Sequence, residues 1–344
     1  MSAPRLISRF RNPTAICRWH ERERLMSDNI CKRRTLLKGA GLMALAATGA
    51  VRVRESHAQE QAPWSSGTDL PKLKAPANSC DCHMHIYDAR FPADPGATLR
   101  PADASVADYR LLQKRIGTTR NVVVTPSTYG TDNRVTLDAM AKFGATARGV
   151  AVVNASVTDA ELKRLADLGV RGIRFNLVQV GATTVEMIEP LSMRVNALGW
   201  HVQIHMLADQ IVKIENLLHK LASPIVFDHM GRIAQPAGTD HPGFGVIRKL
   251  IDTGRTWVKL SGAYQDTKVG PPSYADTSKV AQAYVKAAPE RLVWGSDWPH
   301  PTEKENQKPN DAVLLDLLTE WAPNEVTRHR ILVGNPETLY GFSK

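Results

Sequence analysis

The pentapeptide Asp81-Cys82-His83-Met84-His85 carries the most specific chemistry in the chain. In an extended segment, residues two apart face the same side. His83 and His85 therefore project together, about 7 Å apart at Cα. Two imidazoles so placed can converge on one cation or one water. More titratable residues close later apolar runs: Ile204-His205, Phe227-Asp228-His229-Met230-Gly231-Arg232 and Trp294-Gly295-Ser296-Asp297-Trp298-Pro299-His300. Imidazoles and carboxylates gathered at one point serve acid–base or metal-assisted hydrolysis. Guanidinium forks match carboxylate and sulfonate oxygens in pairs, which makes Arg174 and Arg232 candidate anchors for an acidic substrate.

Such residues can meet only if the elements bearing them end at one place. From residue 79 onward, short apolar runs alternate with amphipathic stretches. Strands are expected at 79–86, 121–125, 149–153, 169–176, 200–205, 225–228, 257–261 and 292–296. Helices are expected at 106–116, 132–143, 159–168, 185–197, 209–221, 244–252, 278–288 and 312–321. This order argues for parallel βαβ units buried on both faces. Eight of them over 79–344 match a (β/α)8 TIM barrel, whose chemistry sits at the C-terminal strand ends. A doubly wound open sheet is the alternative, although its usual Gly-rich first turn is replaced here by His-Met-His.

Strand alternation sorts the remaining candidates. Asp228 and His229 are adjacent and should face opposite ways unless the strand has already ended. Lys259 and Ser261 share a face, with Tyr264 in the following loop; Lys259, Tyr264 and His229 are candidate substrate contacts. Arg174 shares a face with Asn176, and Arg171 faces away. His201 begins its strand at the opposite pole and reads as structural, His219 as helical and solvated, and Trp294 and Trp298 as packing. Cys80 and Cys82 are poorly spaced for a disulfide and read as buried packing residues.

The chain has 344 residues, 43% hydrophobic and 23% charged, which excludes a disordered or collagenous protein. Its formal charge of +10 sits almost wholly in residues 1–58, which contribute +8 and leave +2 for the remainder. A nucleic-acid partner therefore loses its main support. In the leader, Lys32-Arg33-Arg34-Thr35-Leu36-Leu37-Lys38 precedes an apolar run from Gly39 to Val51 and a small-x-small site, Ser56-His57-Ala58. This resembles a twin-arginine export signal over 1–58. It implies a periplasmic destination, with a cytoplasmic one as the alternative and Met26 as an alternative start. The apolar run falls short of the ~20 residues that span a bilayer, so no stable membrane insertion is expected. Residues 59–78, with Pro63, Pro71 and Pro76, read as an extended linker.

His83-x-His85 on the first strand, His205 after the fifth and Asp297 after the eighth resemble the amidohydrolase superfamily of barrel hydrolases. Within residues 79–342, Arg171-Gly-Ile-Arg174-Phe-Asn176, Asp228-His-Met-Gly-Arg232, Gly295-Ser-Asp297-Trp-Pro and the ending Gly334-Asn335-Pro336-Glu337-Thr338-Leu339-Tyr340-Gly341-Phe342 look like its lactonase branch. The resemblance implies hydrolysis of a lactone bearing carboxylate or sulfonate groups, such as 2-pyrone-4,6-dicarboxylate or 4-sulfomuconolactone, in aromatic-compound degradation. It implies Asp297 as the base acting on water beside His205. A single divalent metal, zinc, is expected on His83, His85, His205 and Asp297, with metal-free catalysis as the alternative. A bridged two-metal centre is not expected, because the middle strands lack the bridging lysine or glutamate. Decarboxylation and sugar-acid lactone isomerisation are the other reactions such a site implies, and a homo-oligomer is compatible with it.

Overall fold

The computed structural model describes residues 61–179 and 181–343. The expected export leader, Met26, Cys17 and Cys31 lie outside the described residues. Every expected strand forms: β1 Cys80–Met84, β2 Arg120–Val124, β3 Ala147–Ala151, β4 Val170–Asn176, β5 His201–His205, β6 Ile225–Phe227, β7 Thr256–Leu260 and β8 Leu292–Trp294. They form one parallel sheet in the order β1 to β8. Past β8, the Asp297 N–H donates to the His83 carbonyl at 2.8 Å, and the His85 N–H donates to the Trp298 carbonyl at 2.8 Å. The chain after β8 thus returns to β1. This is a (β/α)8 barrel, and the sequential strand order excludes the doubly wound alternative, whose order reverses partway.

Local sequence explains most helix limits. Before Val106–Ile116, the Ser105 hydroxyl accepts from the Asp108 N–H, the Asp108 carboxylate accepts from the Ser105 N–H, and Gly117 closes the helix at φ 80°. The helix expected over 209–221 is two, Ala208–Lys213 and Glu215–Lys220, because Ile214 leaves helical geometry at φ −113°.

Alternation along the strands builds two cores. Cys80, Cys82, Val122, Val124, Val150, Val226 and Val293 meet inside the barrel, with Tyr340 and Phe342 packed against them. The opposite faces pack under the helices in the main core. Both cysteines are free and buried. Pairing with β2 shifts register between Asp81 and Met84. Hence Cys82 contributes to the interior and His83, the next residue, also reaches the site.

Residues 61–78 run through turns and irregular backbone and are tied to the barrel at several points. Ala62 is fully buried. The Trp298 indole N–H donates to the Pro63 carbonyl at 2.7 Å, and the Asp311 N–H to Ser65 Oγ at 3.2 Å. The buried Arg115 guanidinium donates to Ser65, Ser66, Asp69 and Asn310. Proline spacing signals extended backbone without saying what covers it. Among the described residues, no helix is long and apolar enough to cross a membrane.

Candidate active site

The C-terminal ends of β1, β4, β5, β6, β7 and the β8 loop converge on one buried polar cluster. Its floor is an ion-pair network. Asp228 Oδ2 accepts from Arg174 Nε at 3.0 Å and from Gln203 Nε2 at 3.1 Å, and Asp228 Oδ1 lies 3.6 Å from Lys259 Nζ. Lys259 Nζ also donates to Gln203 Oε1 at 2.7 Å and to the Cys82 carbonyl at 2.9 Å. Lys259 has no exposed surface. Lys259, expected as a substrate contact, is here turned into the floor, with its ammonium held by Gln203, the Cys82 carbonyl and Asp228. Burial pulls its ammonium down from the ordinary lysine range. Burial pushes the Asp228 carboxyl up, but His83, Lys259 and Arg174 outweigh it and hold that carboxyl well below the usual range.

Above this floor sit His83, His85 and Asp297. His85 Nδ1 is 2.8 Å from the Val124 carbonyl, which can only accept. The Nδ1 hydrogen is thereby fixed, and the Nε2 lone pair points inward. His83 Nε2 lies 3.2 Å from His85 Nε2, and Asp297 Oδ1 lies 3.5 and 3.4 Å from the two. Four ligands at about 2.0–2.1 Å around a tetrahedral ion stand roughly 3.3 Å apart, so these three donors fit three corners. His205 does not join them. Its Nε2 is 3.2 Å from an Arg232 nitrogen and its Nδ1 is 3.4 Å from an Arg174 nitrogen. Among the described residues, the donor clusters of metal-binding geometry are His83–His85–Asp297 and His83–Asp228–His229. His205, expected as a fourth ligand, here faces Arg174 and Arg232, and only one of its two ring nitrogens can accept from them.

Asp228 and His229 both face the site, which alternation alone forbade. The strand stops at Phe227, and His229 turns into the left-handed region at φ 48°. His229 Nε2 then lies 3.8 Å from Asp297 Oδ1, with Nδ1 2.9 Å from Ser261 Oγ. Met230, Arg232, Asp297 and His300 also have positive φ, so the two loops that carry the chemistry hold unfavourable backbone. Gly262, at φ 64°, leaves room here, since a Cβ would stand 2.9 Å from the His229 ring.

The second oxygen of Asp297 is held from behind. Tyr264 Oη donates to Oδ2 at 2.7 Å and Gln265 Nε2 donates to it at 2.9 Å. Tyr264, expected as a substrate contact, thus touches the acid itself. Burial pushes the Asp297 carboxyl up, and the imidazoles of His229, His85 and His83 outweigh it, holding it well below the usual range. Burial, with Lys259 beside it, pushes His83 down to about 3, and burial also takes His229 to about 3. An ionised carboxylate set among buried imidazoles is what a general base requires.

The cavity over these groups is tight, about 30 Å³, and is lined by His85, Arg174, Asn176, His205, Gln265 and Asp297, among others. A cleft of about 320 Å³ between Trp64 and Glu305 is roomier but holds no such cluster. Arg174 reaches the cavity, while Arg232 spends Nε and one terminal nitrogen on Asp266, at 2.8 and 3.1 Å. Sequence reasoning missed Tyr87 and Gln265. Both border the cavity, and Tyr87 Oη and Gln265 Oε1 are buried without partners. Neither lies in a spacing that signals chemistry, so only the fold reveals them.

A parallel eightfold barrel with histidines and an aspartate at its C-terminal mouth is the architecture of the amidohydrolases. The amidohydrolase family profile matches residues 80–342, and the chain belongs to that family. It is 36% identical over 289 residues to 2-pyrone-4,6-dicarboxylate hydrolase of Comamonas testosteroni, covering 80% of this chain and 94% of that one. It is 34% identical to D-galactarolactone isomerase of Agrobacterium fabrum, covering 81% and 96%. It is 35% identical to 4-sulfomuconolactone hydrolase of Rhizobium radiobacter, covering 77% and 91%. Among solved structures, a probable 2-pyrone-4,6-dicarboxylic acid hydrolase from Acinetobacter baumannii with citric acid bound superposes with TM-score 0.70 at 26% identity, covering 77% and 100%.

Proposed function

We propose that this chain is a lactonase that opens lactone rings bearing carboxylate or sulfonate groups. The observation that carries the reading is the ionised Asp297 carboxylate, one oxygen locked by Tyr264 and Gln265 and the other facing three imidazoles. Water held at Oδ1 gives its proton to Asp297 as its oxygen attacks the ring carbonyl. The ring C–O bond then breaks, and the departing oxygen takes the proton back from Asp297. Arg174 orients the substrate's acidic group, and His205, held between Arg174 and Arg232, lines the same wall. The acidic lactones of the relatives, and the citrate bound by one of them, support an anionic substrate.

His83, His85 and Asp297 suit a single divalent cation, and zinc fits their two nitrogens and one oxygen. Such an ion would polarise the carbonyl and acidify bound water. The twin-arginine-like leader supports a periplasmic address, tested by the N-terminus of the exported protein. Isomerisation of a sugar-acid lactone is the second reading. It is favoured by the neutral hydrogen-bonding wall of Ser127, Asn176 and Gln179, which suits ring hydroxyls. Assay of acidic pyrone and muconolactone substrates against sugar-acid lactones separates the two: ring opening supports the lactonase, and a rearranged lactone of unchanged mass overturns it.

A further inference from the structure

Behind Asp297 runs a buried chain of hydrogen bonds that the proposed chemistry does not use. Tyr264 Oη donates to Asp297 Oδ2 at 2.7 Å, His300 Nδ1 lies 3.1 Å from Tyr264 Oη, and His300 Nε2 lies 3.0 Å from Asp311 Oδ2. His300 and Asp311 have no exposed surface. The hydrogen count links the two contacts of Tyr264. A tyrosine hydroxyl has one hydrogen, and if Tyr264 gives it to Asp297, His300 must donate its Nδ1 hydrogen to the phenol oxygen. The Nε2···Oδ2 contact with Asp311 then needs a second hydrogen, so the pair carries two: one at Nδ1 for Tyr264 and one between Nε2 and Oδ2. If His300 instead presented a lone pair at Nδ1, the Tyr264 hydrogen would be drawn away. Asp297 Oδ2 would then keep Gln265 as its donor.

We propose that His300 and Asp311 form a positioning pair that turns the Tyr264 hydroxyl onto Asp297, leaving Oδ1 as the oxygen that works on water. The pair lies outside the substrate cavity and touches neither of the metal-competent histidines. The imidazole stands edge-on to the Tyr264 ring, 5.2 Å between centroids, so its placement is steric as well as polar. Asp311 is itself set by the Ser65 hydroxyl on its backbone N–H, which ties residues 61–70 to the reacting carboxylate through a short run of bonds.

This inference rests on Asp297 acting as the base, and the test separates the two. Turnover of an acidic lactone is measured for the wild type, Asp297→Asn, Tyr264→Phe, His300→Leu, His300→Asn and the Tyr264→Phe/His300→Leu double variant, with thermal midpoints for each. Loss of one hydrogen bond to an ionised group corresponds to about 10- to 100-fold. Tyr264→Phe and His300→Leu are each expected to lower kcat by that amount with KM within about twofold. The double variant is expected to be no slower than either single one, because both remove the same contact. His300→Asn, whose amide N–H can stand where Nδ1–H stood, is expected to recover most of the rate. Multiplying losses in the double variant, unchanged kcat in His300→Leu, or no recovery in a folded His300→Asn would overturn the pair's role. Normal turnover in Asp297→Asn would instead sink the base, whatever His300 does. If His300→Leu fails to fold, Asp311→Leu is assayed alone and in combination with Tyr264→Phe by the same criteria.

Discussion

The two ends of the barrel both bury histidine and treat it differently. At the N-terminal end, His201 packs edge-on to Tyr340, 5.4 Å between centroids, and neither ring nitrogen has a partner. At the C-terminal end, His83, His85 and His229 are equally buried, but each ring faces a carboxylate, a carbonyl or a hydroxyl. Burial pushes His201 and His83 to about 3 alike. What separates a packing histidine from a chemical one is the company of its nitrogens, not its depth.

Changes that abolish this asymmetry test it most severely. Asp297→Asn removes the charge the mouth histidines face and is expected to lower turnover about a thousandfold, the scale of a lost general base, with the fold retained. His201→Phe should leave steady-state turnover unchanged. A comparable loss in both variants would mean that the two poles are coupled. Metal content sharpens the contrast within the mouth. His85→Asn should lose bound divalent metal, measured by elemental analysis, while His205→Asn keeps it, since both nitrogens of His205 already face guanidiniums. Loss in His205→Asn would restore that residue as a ligand.

Smaller effects follow from the floor and the lower pole. Arg174→Ala leaves the buried Asp228 short of a partner and should cost about 3 kcal/mol of stability along with a higher KM. Urea unfolding and kinetics check this, and an unchanged midpoint would contradict the ion pair. The smallest effect concerns acid. His201 lies near 6.5 when unfolded and near 3 when folded. Its stabilising share is present above about pH 6.5 and is lost as pH falls toward 3. His201→Phe should therefore flatten the fall in thermal midpoint between pH 6.5 and 4, and an unaltered slope would place that proton elsewhere.

Much of this was legible in the sequence because each strand is a short apolar run with a titratable residue at its end. The His83/His85 pair and Asp297 could be placed together from strand alternation and barrel topology. The rest depended on backbone turns that alternation does not encode. His229 reaches the site only through left-handed φ, and Lys259 is turned into the floor by Gln203 and the Cys82 carbonyl. Sequence shows that His205 ends a strand, not that Arg174 and Arg232 stand beside its nitrogens. The packed arm at 61–78 looked like a linker for a related reason: proline-bearing backbone reads alike whether it is covered or free.

The most direct measurement is ring opening of an acidic lactone in water enriched in oxygen-18. A carboxylate-activated water predicts one labelled oxygen in the newly formed carboxylate with wild-type protein, and almost none formed over the same time with Asp297→Asn. Product carrying no label, or labelled product released equally fast by Asp297→Asn, would contradict the account.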